Sequence, residues 1–301
     1  MRDRLRFVAV GGGLVALLGV ALGIGALVGD PDETVDRGAH HAEATGAASG
    51  LSDSESGYRL VDLNAPTAPN RAGPLTFRIT GPDGEPVMRF TTQHEKELHL
   101  IVVRSDATEF RHVHPTMDAT GLWSIDWTWA TPGSFRVFAD FVPETTGERK
   151  DLVLGRTVEV AGPVTLAPLP PPADTANVDG YRVTRHGELS TRGGELRFTI
   201  SRDGKPVTDL DPYLGANAHL VALRAEDLAY LHVHPATDGT RGPDVTFHAQ
   251  APSADDYRLY LDFSHGGAVH TAEFTVSATG SEKLTGPSTS GGGGHTGGGH
   301  R

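Results

Sequence analysis

The sequence predicts an all-β protein: two tandem immunoglobulin-like antiparallel β-sandwiches after one N-terminal transmembrane helix. Three observations predict it. A charge-free apolar run opens the chain, a long segment returns downstream at a near-constant offset, and both copies consist of short β-branched or alternating runs divided by turn signals. Composition narrows the class of partner. Among 301 residues, 26 basic side chains stand against 38 acidic ones, and the formal net charge of −12 argues against a nucleic-acid backbone as partner. Cysteine is absent, which excludes disulfides, thiolate metal sites, cysteine nucleophiles and a lipid-modified cysteine. The 38 glycines and 20 prolines imply a compact part set among linkers and tails.

Residues 7–28 form the apolar run, 22 positions without a charge. At about 1.5 Å per residue a helix of that length crosses a hydrocarbon core of about 30 Å. Arg2, Arg4 and Arg6 precede it, and Asp30, Asp32 and Glu33 follow. The positive-inside rule then puts the N-terminus in the cytoplasm and the bulk of the chain outside. Residues 1–29 are thus read as a cytoplasmic stub and membrane anchor. The alternative is a secreted protein after signal cleavage, but the run exceeds a signal h-region and no clean Ala-x-Ala site follows. Residues 30–57, with His40-His41 among small and acidic residues, read as a flexible stalk.

The repeat is plain. His99-Leu-Ile-Val-Val-Arg104 returns as His219-Leu-Val-Ala-Leu-Arg224, and Phe110-Arg-His-Val-His-Pro115 as Tyr230-Leu-His-Val-His-Pro235, both at an offset of 120. Phe135 to Phe141 matches Tyr257 to Phe263 further on. With turn signals at Pro82-Asp-Gly84, Pro132-Gly133, Asp203-Gly204 and Gly266-Gly267, each copy reads as a sandwich of immunoglobulin-like size, at 58–161 and 178–278. Along Phe135 to Phe141, alternation puts Phe135, Val137, Ala139 and Phe141 on one face and Arg136, Phe138 and Asp140 on the other. Residues 162–177, which contain Pro168-Leu-Pro-Pro-Pro172, read as a stiff extended linker. Residues 279–301, rich in Gly, Ser and Thr with His295 and His300, read as a disordered tail.

Both copies carry one matched polar set. It is His99, His112, His114 and Asp140 in the first, and His219, His232, His234 and Asp262 in the second. Within His-Val-His on a strand, both imidazoles share a face about 6.5–7 Å apart at their roots, and both reach one ion at about 2.0–2.1 Å. A third histidine and an aspartate from neighbouring strands complete a nitrogen-and-oxygen set suited to Cu(II) or Zn(II). The aspartate serves equally well as an acceptor that fixes a ligand's tautomer. Blue copper is excluded because its thiolate is missing. The competing reading is a structural hydrogen-bond network, since duplication copies a structural motif as faithfully as a metal site.

Other residues carry less. Met117 is replaced by Thr237 in the second copy, which favours packing over a soft copper ligand. His94, His248, His265 and His270 have no counterpart and read as surface histidines, and His186 lies in a turn-like Arg-His-Gly. No Gly-x-Ser-x-Gly elbow, phosphate loop or His-Glu-x-x-His helix is present, so the protein is read as no enzyme.

Leu-His-Leu-Ile-Val-Val, Phe-x-His-Val-His-Pro and Phe-Ala-Asp-Phe, met twice, resemble a group of exported or membrane-anchored proteins common in actinobacteria. More distantly the repeats are similar to YtkA-like and CopC-like periplasmic domains. That resemblance implies an immunoglobulin-like sandwich and extracytoplasmic copper binding or delivery. It does not transfer the ligands, because CopC-like sites draw on a histidine at the start of the mature chain and on methionines, and this chain has three methionines in all. The expected function is copper, alternatively zinc, binding, buffering or delivery, with one His-rich site per repeat. The metal ion and other envelope metal-handling proteins are its expected partners. The alternative is a non-enzymatic cell-surface structural or protein-interaction module.

Overall fold

The computed structural model describes residues 49–145, 149–231, 233–236 and 241–280, without the side chain of His234. The predicted anchor at 7–28, residues 30–48 of the stalk, the tail from 281 on, and His232 lie outside the described residues. In the first repeat the strands are β1 (Ser54–Glu55), β2 (Tyr58–Asn64), β3 (Gly73–Thr80), β4 (Leu98–Arg104), β5 (Arg111–Val113), β6 (Thr116–Met117), β7 (Trp123–Trp127), β8 (Gly133–Phe141) and β9 (Leu152–Val160). They form one sheet of order β1-β2-β3-β7-β6 and a second of order β5-β4-β8-β9. The second repeat has β10 (Thr175–Val178), β11 (Tyr181–His186), β12 (Gly194–Arg202), β13 (Lys205–Pro206), β14 (Ala218–Arg224), β15 (Tyr230–Leu231), β16 (Val233–Pro235), β17 (Asp244–Ala249), β18 (Asp256–His265) and β19 (Ala268–Ser277). Its sheets run β10-β11-β12-β17-β16, with β13 beside β12, and β15-β14-β18-β19. All of these pairings are antiparallel. An outer sheet of β2-β3-β7-β6 facing an inner one of β4-β8-β9 is the strand arrangement of an immunoglobulin-like sandwich.

Period-2 alternation builds each core. In β3, Leu75, Phe77 and Ile79 are buried between half-exposed neighbours. They meet Leu98, Leu100 and Val102 of β4, Phe135, Val137 and Ala139 of β8, and all three tryptophans. Leu196, Phe198 and Ile200 of β12 do the same in the second repeat against Leu259, Leu261 and Phe263 of β18. Met117 packs against the first core, as expected of a packing residue.

The central strands of the four-stranded sheets, β4 and β14 above all, are buried on both faces. Every residue of β4 is buried, so the unbroken apolar run Leu-Ile-Val-Val has two partners and not one. The second partner is the other repeat: Ile101, Val103 and Phe138 pack on Val221, Leu223, Tyr230 and Tyr260. Phe110 stacks on Tyr260 with ring centroids 3.9 Å apart and planes within 6°. Tyr230 packs on Phe138 at 5.7 Å. Phe110 and Tyr230 are equivalent positions, as are Phe138 and Tyr260, so the junction repeats itself as an isologous dimer interface does.

Two predicted boundaries shift. The stalk was expected to run to residue 57, yet β1 pairs with β2, and residues 49–52 lie along the sandwich edge. Gly50 N–H donates to Val153, Gly155 N–H to Ser52, and Tyr230 N–H to the Ser49 carbonyl. Backbone hydrogen bonding, which composition does not reveal, draws this polar segment in. At the other boundary, residues 162–174 form the exposed linker, and Thr175–Val178 is already β10 of the second repeat.

Gly155 is required by this edge. A Cβ there lies 1.9 Å from the Gly50 carbonyl oxygen. Gly155→Ala is expected to expel residues 49–52 and to cost about 1–3 kcal/mol. Urea unfolding measures the cost, and faster amide exchange at Tyr230 reports the lost Ser49 contact.

Candidate metal centre

In register, β4 sets His99 directly opposite Asp140 of β8, and β14 sets His219 opposite Asp262 of β18. His99 shares its face with Ile101 and Val103, which places it at the junction of the repeats. β5 pairs His112 with Ile101, and His114 follows two residues on, as the His-Val-His spacing requires. Three ring nitrogens converge. His99 Nδ1 lies 3.0 Å from His112 Nε2 and 3.1 Å from His114 Nε2. The ligand atoms of His99, His112 and His114 all fall within 4.8 Å of one another. Around an ion with bonds of about 2.0–2.1 Å, tetrahedral geometry sets neighbouring nitrogens about 3.3–3.4 Å apart, so a few tenths of an ångström of opening seats it.

The far sides of two rings are already committed. His99 Nε2 faces the Gln93 carbonyl at 3.2 Å, and a carbonyl only accepts, so the proton sits on Nε2 and the lone pair on Nδ1. His112 Nδ1 lies 2.9 Å from Asp262 Oδ2, which puts its proton on Nδ1 and its lone pair on Nε2. Two lone pairs therefore oppose each other at 3.0 Å, a contact that needs a cation or an added proton between them. His114 Nε2 is the only member of the trio able to donate as a neutral ring without breaking one of these bonds.

Burial disfavours a charge on His99, His114, His219 and His94. Loss of water, then repulsion from His112, lowers His99 to about 4. The same causes, with repulsion from His99 added, lower His114 to about 3. His219 falls to about 3, through burial and then the neighbouring His94, His112 and His99. His94 is lowered by burial, with Asp140 pulling the other way. Neutral imidazoles hold the lone pairs a metal needs.

The structure regroups the predicted residues. His99, His112 and His114 come together as expected, but Asp140 does not join them as a ligand. Its Oδ2 accepts the Tyr230 hydroxyl of the second repeat at 3.1 Å. Asp262, expected to serve its own repeat, crosses the junction to His112, and its other oxygen accepts the Thr271 hydroxyl at 2.6 Å. Docking of two sheets face to face explains both corrections: the carboxylates point out of their own sandwiches and into each other's. His219 also turns to the first repeat, with its ring 6.1 Å from those of His99 and His112, while its Nε2 faces the Tyr213 carbonyl at 3.2 Å. His232 and the side chain of His234 lie outside the described residues.

Sequence reasoning missed His94. Its ring stands 4.6 Å from His219 and 6.1 Å from His99. It lies in a tight turn closed by Gln93 and Lys96, with φ of 46° at His94 and 63° at Glu95. Tyr213 to Ala216 closes the matching turn, with positive φ at Leu214 and Gly215. These turns deliver the carbonyls that fix His99 and His219, each six residues ahead of its histidine. That shared spacing was the available signal. His265 and His270 take local roles, facing Asp209 and Asp179.

Fold and cluster together define a tandem immunoglobulin-like β-sandwich protein with a histidine cluster where its repeats meet. The chain belongs to the family described as a domain of unknown function (DUF8832), which matches it twice, over residues 53–158 and 176–280. No curated protein matches it. Among solved structures, it is similar to a bacterial integrin-binding invasin, at 12% identity over 74% of this chain and 39% of that one, with a TM-score of 0.23. It is also similar to an Escherichia coli alpha-2-macroglobulin, at 14% identity over 74% of this chain and 20% of that one, with a TM-score of 0.26. Domains 4 and 5 of the S-layer protein SbsC match at 10% identity over 76% of this chain and all of that one, with a TM-score of 0.23. The chain thus spans about two fifths of the invasin. At these TM-scores the likenesses carry no argument.

Proposed function

We propose that the protein binds a divalent metal, copper first and zinc as the alternative, and serves as a non-enzymatic module for buffering or delivery outside the cytoplasm. One observation carries the reading: the nitrogens of His99, His112 and His114 converge while Gln93 and Asp262 hold the far sides of two rings, leaving lone pairs aimed at a common point. The set is nitrogen-only, with a carboxylate behind it, which suits copper(II) and zinc. The extracytoplasmic placement rests on the run at 7–28 and its flanking charges, and other envelope metal-handling proteins are the proposed partners.

A second reading has its own support. Asp262 is 2% exposed and bonded to His112, so an imidazolium at His112 that donates to both Asp262 and His99 makes the cluster a purely structural network. Titration of the full chain with Cu(II), Cu(I) and Zn(II) against a chelator of known strength separates the two. The wild type is expected to hold one tight equivalent more than His112→Ala/His114→Ala, and the difference cancels any binding by His40-His41, His295 and His300. Equal binding by both chains, with the double variant destabilised, supports the structural network instead.

A further inference from the structure

The two repeats are not equal partners in this cluster. Every nitrogen of the convergent trio belongs to the first repeat, yet the group that orients His112 belongs to the second, 150 residues away in sequence. Asp262 is itself held, by the Thr271 hydroxyl on Oδ1 and by its place in the β14-β18-β19 ladder, where its partners are His219 and Thr271. Its carboxylate is therefore aimed before any metal arrives. We infer that Asp262 is a cross-repeat positioning residue: by accepting the hydrogen bond of His112 Nδ1–H it presents Nε2 to the metal, so the site is complete only when the second repeat is docked on the first.

This inference rests on the metal reading above and adds a division of labour to it. A carboxylate behind a metal-bound imidazole fixes ring orientation and tautomer and makes the ligand more basic. Here the carboxylate comes from the duplicated copy, across a junction of apolar and aromatic packing that two tyrosine hydroxyls also bridge, Tyr230 to Asp140 and Tyr260 to the Ala107 carbonyl. Duplication thus supplies what a single sandwich lacks. In its own repeat His112 is set on the edge strand β5, and the residue opposite His99, Asp140, is engaged by Tyr230. Among the described residues, the hydrogen bonds of the Asp262 carboxylate go to His112 and Thr271, so within the trio it holds the His112 ring.

The test uses the full chain and zinc as probe, with Asp262→Ala and Asp262→Asn beside the wild type. Affinity is measured by chelator competition, and the nitrogen chemical shifts of the His112 ring are read in the zinc-loaded protein. The wild type is expected to show a protonated Nδ1 and a zinc-bound Nε2. Asp262→Ala is expected to lose about 10- to 100-fold in affinity, with His112 divided between ring orientations. Asp262→Asn retains an oxygen acceptor without the charge, and is expected to keep the wild-type pattern and to recover most of the affinity. Should the alanine variant not fold, a wild-type His112 bound through Nδ1, or an asparagine variant with scrambled His112 signals at unchanged affinity, overturns the assignment. Zinc bound equally tightly by wild type and Asp262→Ala overturns it as well, while leaving the metal reading standing. A wild-type chain that takes up no zinc and no copper overturns the metal reading itself.

Discussion

Tyr260→Ala is expected to lower the melting temperature by about 6–20 °C and to loosen the two repeats from each other. Truncating a fully buried aromatic costs about 3–5 kcal/mol, and for a protein of this size each kcal/mol moves the midpoint by about 2–4 °C. Tyr260 is fully buried and at the centre of the junction: Phe110 stacks on it at 3.9 Å, and its hydroxyl donates to the Ala107 carbonyl at 2.6 Å. Ring and hydroxyl separate with a second variant. Tyr260→Phe keeps the stack and leaves a buried carbonyl without its donor, a loss of about 1–3 kcal/mol. Each sandwich has its own core, so the lost stability is expected to appear as increased proteolysis at the linker ahead of global unfolding. Thermal melts with limited proteolysis read both effects. A midpoint for Tyr260→Ala within 2 °C of the wild type shows that the repeats do not stabilise each other through this contact.

What the sequence disclosed and what it withheld follow from where each contact closes. Alternation in Phe135 to Phe141 gave the correct inner face, since Phe135, Val137, Ala139 and Phe141 all enter the core. The convergence of His99, His112 and His114 was also legible, because β4 and β5 are joined by a short connection and the two-residue spacing fixes the face. The other face of the same sheet was not. Phe138 and Asp140 were assigned away from the core correctly, but nothing in an alternating pattern says that the space beyond is filled by a second copy of the same surface. Ile101 and Val103 held the hint, because apolar residues on both faces of a strand require two partners. Asp262 at His112 was beyond reach: it depends on the rigid docking of two sheets, and no local spacing records such a distance. His94 has no counterpart in the second copy and so reads as a surface histidine, but matching copies position by position says nothing of contacts across the junction, where its ring stands 4.6 Å from His219.

In the metal-free protein, acid is expected to weaken the fold well before its carboxylates titrate. An unfolded histidine binds its proton near 6.5. Folded His99 does so only near 4 and His219 near 3, because burial, and then the neighbouring imidazoles, oppose the charge. Below pH 6.5 the unfolded chain therefore binds more protons than the folded one, so stability falls with falling pH until the folded values are reached. For each such group the loss between pH 7 and pH 5 is about 2 kcal/mol, and both rings are only 8% exposed, so solvent screens little of it. Urea midpoints at the two pH values, in the presence of a chelator, measure the slope. His99→Gln and His219→Gln should each flatten it; a midpoint that rises from pH 7 to pH 5 would instead show that the cluster already carries its protons when folded, because the folded chain would then bind more protons than the unfolded one. That outcome bears on function as well as stability. Protons and a divalent metal compete for the same nitrogens, so a cluster kept neutral down to pH 5 is one whose lone pairs stay available, and a cluster protonated at pH 7 is one that holds the repeats together by hydrogen bonds alone.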